Sequence, residues 1–239
     1  MHLKTLLAIL SLLTFTTVTT AKEIPAGLRD LYNKIRSSGP CTGDDLLKGG
    51  FFDQNDGSLP LWSYCQRHTS NSAIYLRGPV ICSRIWTLTK EKPRCEWKWD
   101  WHSRHALHRL SKHPTANLLP LNATIHPYIV LGNTGSQPWY RTFDPRTADI
   151  SPLSIVAVVC NNALIYGIWG DVSGDDGLPL VGEASLALAT ACFGGGVNGG
   201  NGWDGADVLY FAFKGDSAVP GPEGAKWDTR DYAELERSI

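Results

Sequence analysis

The chain has 239 residues, of which 22 are basic and 23 are acidic, so its formal charge at neutral pH is -1. A near-neutral chain without a long basic run lacks the charge that drives binding to nucleic acid, and we expect no nucleic-acid partner. Hydrophobic residues make up 43% of the chain, a share that supplies a packed core and excludes wholesale disorder.

The N-terminal residues 1–21 have the composition of a secretory signal peptide. A start containing His2 and Lys4 precedes an apolar run over residues 6–15, and small residues ending at Ala21 follow. The apolar run is shorter than the ~20 residues that span a bilayer, and no later run reaches that length. We therefore expect cleavage after Ala21 and a secreted, extracellular protein that makes no membrane contact.

The mature part of the chain, from residue 22, begins with a helical pattern and continues with strand patterns. Apolar residues recur at helical spacing over residues 28–35. β-branched and aromatic runs predict strands at residues 73–76, 128–131, 154–160, 163–169 and 208–213. Asn161 and Asn162 tolerate the left-handed backbone of a two-residue turn, so they predict a hairpin between the runs on either side. Residues 183–191 are rich in Ala and Leu and predict a second helix.

These elements predict a mainly β (α+β) protein: a small, barrel-like antiparallel β domain with flanking helices. We place this domain at residues 22–213. Residues 214–239 are polar and punctuated by Pro and Gly, and we expect them to form a C-terminal tail with little order. The sequon Asn122-Ala123-Thr124 predicts a surface stretch that carries a glycan on Asn122.

Two carboxylates stand at positions that suit acid and base chemistry. Asp171 ends the strand pattern of residues 163–169, and Glu183 follows twelve residues later at the start of the predicted helix. Two carboxyl groups across a groove are what glycoside hydrolysis requires, one as the acid and the other as the base or nucleophile. Spacing alone is weak support, because Asp after a strand is commonly a turn former and Glu in a first helical turn a dipole partner.

Metal binding has two candidate segments, and neither is complete. The run from Asp171 to Gly177 partly imitates a calcium loop, but its sixth position is Asp176 where glycine is needed, and its twelfth is Gly182. A histidine-rich stretch over residues 102–113 lacks the carboxylate or cysteine that would complete a ligand set. We expect no metal and no cofactor.

Six short segments stand out in the second half of the chain: 126–133 (HPYIVLGN), 143–145 (FDP), 152–154 (PLS), 158–162 (VVCNN), 166–171 (YGIWGD) and 182–185 (GEAS). In these segments the chain closely resembles fungal chitosanases of glycoside hydrolase family 75, and the resemblance is nearly continuous over residues 121–213 and sparser over 24–79. The resemblance implies an endo-acting, inverting hydrolase of β-1,4-linked glucosamine polymers, with Asp171 and Glu183 as the essential carboxylates. Inversion implies carboxyl groups ~6.5–9.5 Å apart.

The implied substrate is polycationic, so further carboxylates and an aromatic face suit the groove. An acidic side chain can pair with a glucosamine ammonium group, and a tryptophan can stack on a sugar face. From the residues available we predict substrate contacts by Asp144, Asp175 and Trp203. The expected partner is chitosan or partially deacetylated chitin, and the expected state is a monomer.

Residues 80–120 lack the family pattern, which normally includes an acidic Met-Asp-Ile-Asp-Cys-Asp-Gly stretch. They contain instead a cluster of tryptophans and then one of histidines: Trp86, Trp97, Trp99, Trp101, His102, His105, His108 and His113. Back-translation of residues 81–89, read two bases later, contains Met-Asp-Ile-Asp. We therefore hypothesise that this segment is translated out of frame; the alternative is a genuine divergent insertion.

Six cysteines in an exported chain favour disulfide bonds, because export places them in an oxidising compartment. On the frame hypothesis Cys82 and Cys95 are not family cysteines. The candidates are then Cys41, Cys65, Cys160 and Cys192, for which all three pairings remain open.

The departure of residues 80–120 from the family pattern leaves an alternative function open. The protein would then be a catalytically impaired, secreted carbohydrate-binding protein.

Overall fold

The structure is a computed structural model that describes residues 22–38, 41–53, 62–67, 70–78, 121–173, 178–198, 202–203, 205 and 207–239. The predicted signal peptide, the segment 80–120 with its two cysteines, and Asp175 lie outside the described residues. Across the described ranges, no helix is both long enough and apolar enough to cross a membrane.

The described elements begin with helix α1 (Ala26–Ser38) and strands β1 (Leu46–Asp53), β2 (Trp62–Arg67) and β3 (Ser70–Gly78). From residue 121 onwards the order is β4 (Tyr128–Asn133), β5 (Ile155–Cys160), β6 (Ala163–Ser173), β7 (Leu180–Val181), helix α2 (Leu186–Phe193), β8 (Val208–Phe213) and helix α3 (Tyr232–Ser238). All five predicted strands and the first helix are confirmed. Strands β1, β2 and β7 were not predicted. Gly49 and Gly50 interrupt the strand pattern of β1, and β7 is only two residues long.

The strands form one eight-stranded sheet in the order β4-β6-β5-β8-β3-β2-β1-β7. Its inner pairings are antiparallel, as predicted, but the outer pairs β4–β6 and β1–β7 are parallel. The two edges meet: the Asn133 side-chain amide of β4 donates to the Leu180 carbonyl of β7 at 2.6 Å. The sheet is curled into a half-barrel, and we call its concave side the barrel interior. The mainly β class is confirmed.

The hairpin between β5 and β6 forms as the two asparagines predict. Asn161 and Asn162 both have positive φ, at 45° and 59°. Cys160 pairs with Ala163 at the base of this turn. Primed two-residue turns match the right-handed twist of the strands, so this local signal alone sets the register of the central hairpin.

The core has two layers on opposite faces of the sheet. The barrel interior is filled by apolar side chains that include Phe51, Tyr64, Trp169 and Tyr210, all fully buried. Helix α1 covers part of the outer face, where Leu31, Tyr32 and Ile35 pack with Ala157, Val159 and Leu209. Strand alternation explains the division, because successive residues of β5 face the barrel interior and α1 in turn.

The C-terminal residues differ from the disordered tail that their polarity predicts. Trp227 and Leu235 are buried and pack with Leu121, Leu153 and Ile168 on the outer face of the sheet. Helix α3 begins with a side-chain cap, in which Asp231 Oδ1 accepts from the Glu234 N–H at 3.0 Å. The apolar residues of this segment are few and far apart, so they form no periodic pattern that predicts order. The apolar surface against which they pack comes from other parts of the chain and is seen only in the tertiary structure.

Two disulfide bonds join the described cysteines. Cys41 bonds to Cys65, and Cys160 bonds to Cys192. This is one of the three pairings that the sequence left open. The first bond holds the loop after α1 to β2, and the second ties the β5–β6 turn to the end of α2.

Candidate active site

Asp171 follows a bulge in β6. The parallel ladder pairs Ile129 with Trp169 and Val130 with Asp171, so Gly170 has no partner in β4. Ile129 and Trp169 are buried in the barrel interior. Because an extra residue shifts the alternation of a strand, and because paired residues share a face, Asp171 lies with Val130 on the outer face of the sheet.

The two glycines of the segment YGIWGD allow β4 and the residues just before it to pack closely against β6. A Cβ atom at Gly170 would lie 2.6 Å from Tyr128 Cβ and 2.8 Å from Leu121 Cδ1. A Cβ atom at Gly167 would lie 2.7 Å from the Pro127 carbonyl oxygen. Side chains at either position would therefore push β4 away from the strand that carries Asp171.

Glu183 lies on the other side of the same β4 residue. The Val130 N–H donates to the Glu183 carbonyl at 3.0 Å, and the adjacent residues Ile129 and Ala184 form an antiparallel bridge. Ile129 and Ala184 are both buried in the barrel interior. The bridge and the hydrogen bond therefore place the Glu183 backbone beside Val130, across β4 from Asp171.

Helix α2 begins later than the sequence predicts. Ser185 is its N-cap: its Oγ accepts from the Leu188 N–H at 3.3 Å and from the Tyr128 N–H at 3.0 Å. Glu183 is therefore in extended backbone before the helix, not in its first turn. The helix prediction was wrong at this end, because the serine that caps the helix is also tied to β4.

The backbone at Asp171 is held by its neighbours. Trp169 Nε1 donates to the Asp171 carbonyl at 2.8 Å, and the Val172 N–H donates to Asp171 Oδ1 at 2.7 Å. These two contacts fix both the strand and one carboxylate oxygen. Asp171 and Glu183 are each partly exposed.

Asp144 lies at one end of the barrel in a close ion pair. Its carboxylate caps a short helical turn, Pro145–Ala148, and contacts Arg146 Nη2 at 2.7 Å. The hydrogen bond from Arg146 holds the pKa of Asp144 below its ordinary value. Both residues line a pocket of about 280 Å³, together with Trp169 and Val172 from the strand that carries Asp171.

Trp203 lies against the far end of α2. It is 37% exposed, stacks on Phe193 with ring centroids 4.3 Å apart, and donates from Nε1 to Asp207 Oδ1 at 2.7 Å. Glu183 precedes the opposite end of this eight-residue helix, which is about 12 Å long. Trp203 therefore lies at the end of α2 opposite to the end that Glu183 precedes.

The remaining predicted site residue among those described is Asn122, whose side chain is exposed as a glycan acceptor requires. Its Oδ1 accepts from the Thr124 N–H at 2.9 Å and from the Thr124 hydroxyl at 2.7 Å. Glycosylation itself stays a prediction. Over the part of the chain that the structure covers, no three His, Cys, Asp or Glu residues cluster as a metal site would require.

Comparison with known proteins gives matches to chitosanases. The profile of a family described as "Fungal chitosanase of glycosyl hydrolase group 75" matches residues 87–239. An endo-chitosanase of Aspergillus oryzae is 34% identical over 230 residues, which cover 92% of this chain and 89% of that protein. An endo-chitosanase of Aspergillus fumigatus is 33% identical over 229 residues, which cover 92% and 88%.

A further match is shorter. Endo-chitosanase B of Aspergillus oryzae is 45% identical over 120 residues, which cover 50% of this chain and 47% of that protein. The match to the family profile begins inside the segment 80–120, the segment for which we hypothesise a shifted reading frame. The family profile matches more than half of the chain, and the two longer relatives match most of it. This chain therefore belongs to the fungal chitosanases of glycoside hydrolase family 75.

Proposed function

We propose that this protein is a secreted, monomeric endo-chitosanase that hydrolyses β-1,4-linked glucosamine polymers through Asp171 and Glu183. Membership of the family supports the chitosan-hydrolysing activity. The observation that supports the assignment of residues is their common neighbour: the backbones of Asp171 and Glu183 both pair with Val130, from opposite sides of β4. No cofactor takes part in the proposed reaction.

The separation of the two strands supports inversion. Neighbouring strands place paired Cα atoms about 5 Å apart, so two steps across β4 place the Cα atoms of Asp171 and Glu183 about 10 Å apart. Inverting glycosidases need carboxyl groups ~6.5–9.5 Å apart to admit a water molecule, whereas retaining ones need ~5–5.5 Å. A Cα separation of about 10 Å can accommodate the wider carboxyl spacing that inversion needs.

We assign Glu183 as the general acid and Asp171 as the general base. The longer side chain and the higher reference pKa of Glu, ~4.3 against ~3.9 for Asp, favour Glu as the residue held protonated. Asp171 accepts the Val172 N–H at 2.7 Å, and an ionised carboxylate is the stronger acceptor for such a bond. Glu183 then protonates the leaving oxygen while Asp171 takes a proton from water.

The predicted substrate contacts of Asp144, Asp175 and Trp203 belong to this proposal. Asp144 is available to a glucosamine ammonium only in competition with Arg146, which contacts it at 2.7 Å. Trp203 offers an exposed edge while Phe193 covers one of its faces. We expect these residues to affect the binding of a long polymer more than the chemical step.

The activity is tested by reducing-end release from soluble chitosan, with proton NMR of the first product to identify its anomer. We expect reducing ends to appear with the α-anomer formed first, because inversion converts a β-linkage to an α-product. An initial β-anomer would overturn the inverting assignment. Binding to chitosan without any release would instead support the non-catalytic carbohydrate-binding protein.

A further inference from the structure

The residues 180–185, which we call the Glu183 segment, are held by side chains from inside the barrel. The segment runs from β7 through Glu183 to the N-cap of α2. Its regular strand has only two residues, so a backbone ladder alone cannot fix it. Two buried polar side chains, Asn133 and Tyr210, donate to its carbonyls.

Asn133 binds the start of the segment. Its side chain is 2% exposed, and its amide Nδ2 donates to the Leu180 carbonyl at 2.6 Å. The side chain is itself held, because Tyr64 donates from its hydroxyl to Asn133 Oδ1 at 3.3 Å. The Asn133 backbone exchanges two hydrogen bonds with Phe143, at 2.9 and 3.2 Å. Asn133 is therefore a rigid link between β4 and the Glu183 segment.

Tyr210 binds the segment at the residue before Glu183. Its side chain is 0% exposed, and its hydroxyl donates to the Gly182 carbonyl at 3.2 Å. Gly182 has φ +99°, a conformation that glycine adopts freely, so this position has backbone freedom that a neighbour must restrict. Tyr210 is suited to do so because β8, which carries it, pairs with β3 on one side and β5 on the other.

We propose that Tyr210 and Asn133 are positioning residues that set where Glu183 stands relative to Asp171. This inference rests on the proposed function of the two carboxylates. Both side chains are buried in the barrel, so neither is accessible to a polymer. They act through the Leu180 and Gly182 carbonyls, while the Val130 N–H holds the Glu183 carbonyl. The two carbonyls flank Val181, which anchors the segment in the core.

The test is Tyr210→Phe, which removes one hydroxyl and keeps the ring. Its control is Tyr32→Phe: Tyr32 is 5% exposed and its hydroxyl donates to the Asp207 carbonyl at 2.7 Å, a part-buried hydrogen bond outside the Glu183 segment. We expect Tyr210→Phe to lower kcat on soluble chitosan about tenfold or more with KM within about twofold, since small misplacements of a catalytic group are costly. We expect Tyr32→Phe to lose comparable thermal stability with kcat unchanged.

Asn133→Ala keeps the inference falsifiable where Tyr210→Phe does not fold. It should lower kcat in the same way and should also change the pH dependence of kcat/KM on the limb that reports the general acid. Amide exchange in the Glu183 segment should be faster in both variants and not in Tyr32→Phe. Unchanged kcat in the folded variants would overturn the inference alone, whereas an inactive wild-type protein would overturn the proposed function.

Discussion

Asp171 and Glu183 lie on opposite sides of one strand, and each is paired with the same residue, Val130. The pairing to Asp171 is a parallel ladder contact, and the pairing to Glu183 is an N–H to carbonyl hydrogen bond of 3.0 Å. Both are backbone relationships. The separation of the two backbones is therefore set by the spacing of strands, which is far stiffer than a contact between side chains.

Asp171→Asn and Glu183→Gln should each abolish chitosan hydrolysis and leave folding and chitosan binding largely intact. Each change removes a proton-transfer role but preserves the shape of the side chain. Reducing-end release, thermal unfolding and binding to chitosan measure the three properties. Asp228→Asn and Glu223→Gln are matched controls, because both residues are exposed and lie in the C-terminal region. Activity above a few per cent in either active-site variant would contradict the pair.

Gly170→Ala should destabilise the protein by about 1–3 kcal/mol, the usual cost of overpacking, and should lower kcat by moving Asp171. The added Cβ would lie 2.6 Å from Tyr128 Cβ, which cannot move without its backbone. Gly27→Ala in α1 is the control, since a Cβ there meets no atom within 4 Å. Urea unfolding and steady-state kinetics check both; equal stability of the two variants would disprove the close approach.

His126 should make the stability depend on pH below neutrality. Its Nδ1 accepts the Asn122 N–H at 2.6 Å, so its Nε2 carries the proton and donates to the Trp227 carbonyl at 3.2 Å. Burial lowers the pKa of His126, because the site favours the neutral ring. The unfolded chain then binds the proton more readily than the folded protein. The contribution of His126 to stability is fully present above the ordinary pKa of ~6.5, and it is lost as pH falls below that value through the lower pKa of the folded protein.

The measurement is urea unfolding at about pH 7.5 and about pH 5 for the wild type and for His126→Gln. The wild type should lose more stability between these conditions than the variant does, since glutamine does not titrate. Equal losses in the two proteins would show that His126 does not cause the pH dependence.

Removing the Cys160–Cys192 disulfide should cost about 3–4 kcal/mol, because a bond that closes a loop of this length restricts the unfolded chain. The two cysteines are 32 residues apart, and Cys41 and Cys65 are 24 apart. The double alanine variants of the two pairs should therefore lose similar stability in denaturant titrations. A loss of unfolding free energy below about 1 kcal/mol for either pair would contradict this prediction.

The chain as written should be less active than a version whose residues 80–120 carry the shifted-frame sequence. The family's acidic stretch supplies negative charge that attracts glucosamine cations. Both versions are expressed with intact disulfides and compared for turnover on the same chitosan, and the transcript is sequenced across this region. Equal turnover, or a transcript that confirms the frame as written, would refute the hypothesis.

The sequence by itself determined the elements that depend on local preference. The β5–β6 hairpin follows from Asn161 and Asn162 between β-branched runs, and β8 coincides with the predicted residues 208–213. The proposed carboxylate pair comes from the resemblance of the segments that contain Asp171 and Glu183, and it stays a prediction. Local backbone preference and short motifs are properties of neighbouring residues, so a single sequence displays them.

Only the tertiary structure decided how distant segments meet. It paired the cysteines, ordered the C-terminal residues around Trp227, and placed Glu183 before the helix through the contact of Ser185 with Tyr128. It also created the bulge at Gly170 that turns Asp171 outward. Each of these depends on the close approach of chain segments far apart in sequence, and that approach is set by the packing of the whole barrel, not by any local pattern.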